Sequence, residues 1–149
     1  MKKSVVIIVV MLIITITACM VVISINNKKI LAQKQSNKDY EQYTNKSIYG
    51  TEVITLINKA MDNNKKNKVI QDAKGYFIEN DNNSIIVELI MITNEEKEKT
   101  KVYRMETISK GGIEAFISNF NIAKFKITEL KYHEKTKKIK YIQISQEYE

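Results

Sequence analysis

The residue types that most often carry catalysis are sparse in this sequence. The single histidine is His133, and Glu134 follows it, so the two could form a general base oriented by a carboxylate. No nucleophile motif accompanies them, and the alternative is a surface histidine at the tip of a hairpin. We favour the surface histidine, and we expect no catalytic residues and no enzyme activity.

Acidic residues are more frequent, but their spacing matches no metal site. Glu95, Glu96 and Glu98 lie among lysines without the spacing of a calcium-binding loop. The other acidic candidates also fit no pattern: Asp62, Asp72, Glu79 and Asp81. No glycine-rich phosphate-binding motif occurs, and a single cysteine excludes internal disulfides and thiolate clusters. We therefore expect neither a metal nor a cofactor.

Lysines are the best candidates for binding. Seven of them cluster around Glu129 and Glu134 near the end of the chain: Lys124, Lys126, Lys131, Lys135, Lys137, Lys138 and Lys140. With aromatic residues between them, they are a candidate site for an anionic lipid surface or an anionic wall polymer. The alternative is that they keep an edge hairpin from pairing with other strands.

The net charge of +7 does not indicate a nucleic-acid-binding protein. Such proteins rely on the planar fork of arginine, and Arg104 is the only arginine in the chain. None of the motifs of nucleic-acid readers occurs either. A composition rich in lysine, asparagine and isoleucine is also what an AT-rich genome produces.

One segment decides where all these residues lie. Val5–Ile25 has 21 residues without a charge, a glycine or a proline. As a helix it would be roughly 31 Å long, about the thickness of the hydrocarbon core of a bilayer. We therefore expect an uncleaved helix that spans the membrane and contacts lipid through residues 5–25.

Two alternatives to this anchor remain open. A cleavable signal peptide would have a shorter apolar region and a small-x-small cleavage site, which is lacking here. A lipoprotein is the second alternative, because Ile16-Thr17-Ala18-Cys19 resembles a lipobox and makes Cys19 a candidate for lipidation. The apolar residues after Cys19 favour instead a small apolar side chain inside a helix.

The flanking charges bear on orientation. Lys2 and Lys3 precede the apolar segment, and four lysines follow it closely: Lys28, Lys29, Lys34 and Lys38. The positive-inside rule is therefore nearly balanced. The very short N-terminal tail is typical of a signal anchor, and we expect a single-pass protein of the cell membrane with its C-terminal domain outside the cytoplasm.

The sequence divides into three parts. We assign residues 1–26 to the transmembrane anchor, residues 27–47 to a stalk or tether, and residues 48–149 to an extracytoplasmic domain. The polar residues 27–47 contain no strong helix breaker, which slightly favours a helical stalk over a flexible tether.

Apolar periodicity predicts two helices in the domain. The first covers Glu52–Asn64, with Thr51 as its N-cap. The second covers Lys110–Asn119, with Ser109 as its cap. The glycines at 111 and 112 weaken this second helix intrinsically and would let its backbone approach a sheet.

Runs of β-branched and aromatic residues predict the strands. They are Gly75–Glu79, Ser84–Thr93, Lys101–Ile108, Lys124–His133 and Lys138–Ser145. A charged loop over 94–100 joins the second and third strands in a hairpin, and a shift in apolar parity predicts a bulge in the last hairpin. The class is α+β, with an antiparallel sheet of four to five strands and two packed helices.

Several segments of the chain resemble a known group of proteins. They are Tyr40–Tyr43, Ile48–Asn64, Gly75–Asn80, Gly111–Glu114 and Tyr132-His133. The group is an uncharacterised family of small, N-terminally membrane-anchored proteins of low-GC Gram-positive bacteria, and the resemblance implies an anchored domain without an assigned activity.

Two functions are consistent with this layout. We expect a membrane-tethered module without catalytic activity that contacts an envelope protein or an anionic wall polymer. The alternative is a structural subunit similar to type IV pilins and pseudopilins, which also place a sheet after an apolar N-terminal helix. The chain departs from the pilin pattern because it has no Gly-Phe junction and no glutamate early in the apolar helix.

Overall fold

The computed structural model describes residues 2–92 and 100–147. The chain divides into two compact units, Met1–Ser36 and Asn37–Glu149. The first helix, α1, comprises Lys2–Glu41, so residues 27–41 are helical. The second unit begins at Asn37, eleven residues before the start that the sequence indicates for the domain.

Among the described residues, α1 is the one helix long and apolar enough to cross a membrane. None of its most apolar stretch is buried against other parts of the protein. The hydroxyls of Thr15 and Thr17 donate hydrogen bonds to the carbonyls of Leu12 and Ile14, at 2.8 and 2.9 Å. These polar side chains are therefore satisfied within the helix, as a lipid environment requires.

The amphipathic helix predicted at Glu52–Asn64 is present as α2, Gly50–Lys66. Thr51 is not its N-cap, because the helix already begins at Gly50. The backbone N–H of Tyr49 donates instead to Glu52 Oε2 at 2.9 Å. Only glycine fits at position 50, since a Cβ there would collide with the carbonyl of Phe120.

In the part of the chain that the structure describes, five strands form one sheet, and the α+β class is confirmed. The strands are β1 (Ser47–Tyr49), β2 (Ile86–Ile92), β3 (Thr100–Arg104), β4 (Lys124–Tyr132) and β5 (Ile139–Gln146). Their order is β1-β4-β5-β2-β3. The sheet is mixed and not wholly antiparallel as the sequence predicts, because β2 and β5 pair in parallel while the other neighbours are antiparallel.

The predicted second helix is two short helices, and the strand before it is shorter than predicted. β3 ends at Arg104, and α3 follows at once as Met105–Gly111. After Gly112, α4 comprises Ile113–Phe120. The break lies at Gly112 because its φ of +98° suits glycine and interrupts the helix.

The last hairpin agrees with its prediction, including the bulge. The register between β4 and β5 shifts between Ile127 and Glu129 and again between Lys131 and Tyr132. The strand predicted at Gly75–Glu79 is reduced to one bridge between Gln71 and Phe77. Most of the predicted charged loop 94–100 lies outside the described residues.

The core lies between α2 and one face of the sheet. Val53, Leu56 and Ile57 of α2 are fully buried in one cluster with the strand residues Leu89 and Ile144. Burial of each such side chain contributes about 1.5–3 kcal/mol to folding. The core also holds two aromatic stacks, in which the Phe116 ring lies 5.1 Å from that of Phe120 and 6.2 Å from that of Phe125.

Candidate functional site

The three lysines of the predicted basic cluster that lie on β4 differ in whether a carboxylate pairs with them. Lys124 and Lys126 are exposed on β4 and have no carboxylate partner among residues 2–92 and 100–147. Lys131 Nζ lies 3.0 Å from Glu129 Oε1 and 4.9 Å from the centroid of the Tyr141 ring. One of the three charges is therefore already neutralised.

The remaining lysines lie at or beside the hairpin turn, where acidic residues from an earlier loop join them. Lys135 Nζ is 3.7 Å from Asp81 Oδ2, and Lys140 Nζ is 3.0 Å from Glu79 Oε1. Lys137 and Lys138 lie in the turn itself. The sequence does not reveal these ion pairs, because Glu79 precedes Lys140 by 61 residues. Binding of an anionic surface by the seven lysines stays a prediction.

The hairpin is also fixed to the end of α1. Asn37 Nδ2 donates to the carbonyl of Lys137 at 2.8 Å, and the N–H of Ile139 donates to Asn37 Oδ1 at 3.1 Å. The hydroxyl of Tyr132 donates to Glu41 Oε1 at 2.8 Å. Burial, together with this bond, raises the pKa of Tyr132 to about 12.

His133 is not the surface residue that the sequence indicates. It is 2% exposed, and its Nε2 lies 2.8 Å from the carbonyl of Ser84. Its backbone N–H donates to the carbonyl of Lys138 at 2.8 Å. The ring therefore connects the hairpin to the loop before β2. A polar cavity of about 280 Å³ adjoins it, with Glu79 and Lys140 among the lining residues.

The acidic residues do not converge. In the described parts of the chain, no three histidine, cysteine, aspartate or glutamate side chains are placed to hold a metal ion. Asp72 serves a turn, where its Oδ1 accepts the N–H groups of Tyr76 and Lys74, each at 2.9 Å. The bond from Tyr76 is the main cause that lowers the pKa of the Asp72 carboxyl. Glu95, Glu96 and Glu98 lie outside the described residues.

Cys19, the candidate for lipidation, lies in the apolar part of α1 and is exposed. It belongs to the first unit of the chain.

A groove that the sequence does not reveal lies between β3 and the two short helices. Its volume is about 450 Å³. Most of the residues that line it are apolar or glycine, among them Met91, Tyr103, Ile108, Gly111, Phe116 and Phe120. The only sequence signal is the pair of glycines at 111 and 112, both of which line the groove.

The strand beside the groove is an edge of the sheet. Among residues 2–92 and 100–147, β3 pairs only with β2, and Val102 in its middle is 55% exposed. The ammonium of Lys101 lies 5.0 Å from the centroid of the Tyr103 ring, which itself lines the groove. A positive charge therefore lies beside one of the residues that line the groove.

A buried ion pair holds the junction between β3 and α3. Glu106 is 1% exposed, and its Oε1 accepts the N–H of Phe77 at 2.8 Å and Arg104 Nη2 at 3.2 Å. Arg104 Nη2 also donates to the carbonyl of Phe77 at 2.8 Å. The one arginine of the chain thus fixes the first turn of the helix that forms one wall of the groove.

Comparisons of the chain with models of known protein families, with curated proteins and with solved structures found no match. The resemblance to small anchored proteins of low-GC Gram-positive bacteria therefore stays a prediction.

Proposed function

We propose that the protein is a single-pass membrane-anchored interaction module without catalytic activity, whose α+β domain lies outside the cytoplasm. The observation that carries the proposal is the contrast between the two units. The apolar side chains of α1 are exposed, whereas Asn37–Glu149 has its own closed core. Exposed apolar side chains over the length of a bilayer are stable in lipid and not in water.

The hydrogen bonds that the polar side chains already make within the domain support a role in binding over one in catalysis. The ring of His133 is buried and bonded to the carbonyl of Ser84. Glu134 is exposed beside it. Among the described residues, Glu134 forms no pair that would orient His133 as a base. A general base requires a free nitrogen within reach of a substrate.

Protease treatment of intact cells tests the anchor and its orientation together. We expect digestion of the C-terminal domain from outside, which leaves a membrane-bound fragment that contains α1. A C-terminal tag that survives in intact cells and is lost only after lysis would contradict an external domain. Cys19→Ser separates the lipoprotein alternative, because it abolishes anchoring only if the cysteine carries the lipid.

Contact with anionic lipid or wall polymer is part of this proposal. Asn37 holds the hairpin turn, and it follows Ile25 by twelve residues in the sequence. We expect that Lys→Gln changes at Lys124, Lys126, Lys137 and Lys138 weaken binding to anionic vesicles. The same change at the three ion-paired lysines Lys131, Lys135 and Lys140 should weaken it less per lysine, and equal effects per lysine would contradict this assignment.

A pilin-like subunit is the second candidate. The observation in its favour is that α1 is one helix of 40 residues, the last of which are hydrogen-bonded into the domain. Such a helix suits packing against copies of itself. Oxidative cross-linking at Cys19, the only cysteine, tests this candidate: an ordered series of multimers in detergent-treated membranes supports it, and monomer alone contradicts it.

A further inference from the structure

We propose that the groove beside β3 binds an extended peptide segment of a protein partner, which adds to β3 as a further strand of the sheet. The inference rests on the proposed function of an interaction module and names the chemistry of its partner. We expect the segment to carry a large apolar residue and, two positions away, an acidic residue.

The backbone of β3 supplies the first reason. Among the described residues, β3 has a strand partner on one side only, the side of β2. The groups on its other side are those that an added strand hydrogen-bonds. β3 has five residues, with the exposed Val102 at its centre, whereas the opposite edge strand, β1, has three. β3 is therefore the better template.

The register of β3 supplies the second reason. Tyr103 pairs with Leu89 and Lys101 with Met91, and both β2 residues are buried on the face of the sheet that bears the groove. A residue of the added strand opposite Tyr103 would therefore point to the groove. A volume of about 450 Å³ with an apolar lining accommodates a leucine, methionine or phenylalanine side chain.

Charge supplies the third reason. Side chains on one face of a strand alternate with those on the other, so the next groove-side residue of the peptide would lie opposite Lys101. Opposite charges at directly facing positions stabilise a strand pair, and like charges destabilise it. An acidic residue is therefore favoured at that position.

The test uses the full chain in lipid nanodiscs and a phage-displayed library of random dodecapeptides. We expect selection of a consensus with an apolar residue and an acidic residue two positions apart. Gly111→Phe fills the groove without a collision of its own, because a Cβ at Gly111 meets nothing within 4 Å. This change should weaken binding of a selected peptide by about 10- to 100-fold, the effect of losing one apolar side-chain contact.

Ser118→Phe is the matched control, because it adds the same side chain to an exposed position of α4 away from the groove. It should leave binding unchanged. Lys101→Glu should shift the selected consensus from an acidic to a basic residue. Equal binding to Gly111→Phe and to the unchanged chain, or no enrichment over Gly111→Phe, would overturn the proposal.

N-methylation of a selected peptide, one residue at a time, tests strand addition directly. Loss of binding at alternate residues only is expected, because every second N–H of an added strand faces β3. Loss at every residue or at none would overturn it, as would self-association of the chain through the groove in place of peptide binding. Anchoring is measured separately, so failed peptide binding by a membrane-bound chain refutes this inference and leaves the proposed function standing.

Discussion

The β4–β5 hairpin and the groove beside β3 differ in how far their side chains are already engaged. The hairpin carries the densest run of lysines in the sequence, yet Lys131, Lys135 and Lys140 pair with carboxylates of the same domain. The groove is lined by apolar side chains and glycines from four separate elements. A cluster of charge in the sequence therefore does not show how many of its charges are left for a partner.

The difference has a physical cause. Charged side chains are long and find partners from distant parts of the chain, as Lys140 does with Glu79. The groove beside β3 cannot be filled in this way, because α3 and α4 fix its shape. These helices are held by contacts to other parts of the domain. The following changes test whether the walls of the groove are rigid. They also test whether the polar groups of the hairpin are already bonded within the domain.

The largest effect is expected for Glu106→Ala, at the wall of the groove. It leaves the N–H of Phe77 without its acceptor and Arg104 without its carboxylate partner, although Arg104 keeps its bond to the carbonyl of Phe77, and it should lower the free energy of unfolding by about 3 kcal/mol. Urea unfolding of the full chain in detergent, followed by tyrosine fluorescence, measures it. Glu114→Ala, at an exposed position of α4, should change stability by less than about 0.5 kcal/mol. Similar values for the two variants would show that the wall is not held by Glu106.

A pair of glycine changes follows. Gly50 lies against the end of α4, and Gly111 is at the end of α3. Gly50→Ala should destabilise the domain by about 2 kcal/mol, because the new methyl group meets the carbonyl of Phe120 at the end of α4. Gly111→Ala meets no atom within 4 Å and should stabilise by about 0.5 kcal/mol. The same unfolding experiment measures both, and equal destabilisation by the two changes would contradict the close packing of α2 against α4.

On the hairpin side, Asn37→Ala should cost about 1 kcal/mol. The change removes both bonds to the hairpin backbone and leaves the buried N–H of Ile139 unsatisfied. Asn37→Asp keeps the acceptor for Ile139 and should recover part of the loss. If Asn37→Ala is as neutral as a change at the exposed Lys38, the hairpin is not held by α1.

The smallest effect concerns pH. The pKa of Tyr132 is about 12 in the folded domain and about 10 in an unfolded chain. Between these values the folded state binds more protons, so this contribution is complete below pH 10 and is lost as the pH rises towards 12. Solvent screening of the part-exposed hydroxyl keeps it below about 1 kcal/mol. Tyr132→Phe should flatten the fall in stability between pH 10 and 12, and an unchanged profile would contradict a stabilising bond to Glu41.

Local periodicity explains the parts of the fold that the sequence predicts. The buried stripe of Val53, Leu56, Ile57 and Ala60 indicates α2, and the parity shift after Ile127 indicates the bulge in β4. Both patterns repeat within a few residues, because they follow from the period of the helix and of the strand. Val5–Ile25 indicates α1 by another local property, its length, because an uncharged helix of 21 residues matches the thickness of a bilayer.

The remaining features depend on contacts that are distant in sequence. The parallel pairing of β2 with β5 follows from the path of the chain through α3 and α4, which no local pattern encodes. Met105 continues an apolar alternation yet starts a helix, because Glu106 is bound by Arg104 and Phe77. The groove forms only when Tyr103, Ile108 and Phe116 come together in the folded domain. In the sequence, each of these apolar residues taken alone is typical of a core residue.

The intact mass of the protein in washed membranes tests the account most directly. Membranes extracted with alkaline carbonate should retain the unprocessed chain of 17.3 kDa if α1 spans the bilayer as proposed. Recovery of a shorter chain in the culture medium, beginning after the apolar segment, would contradict the anchor and with it the proposed function.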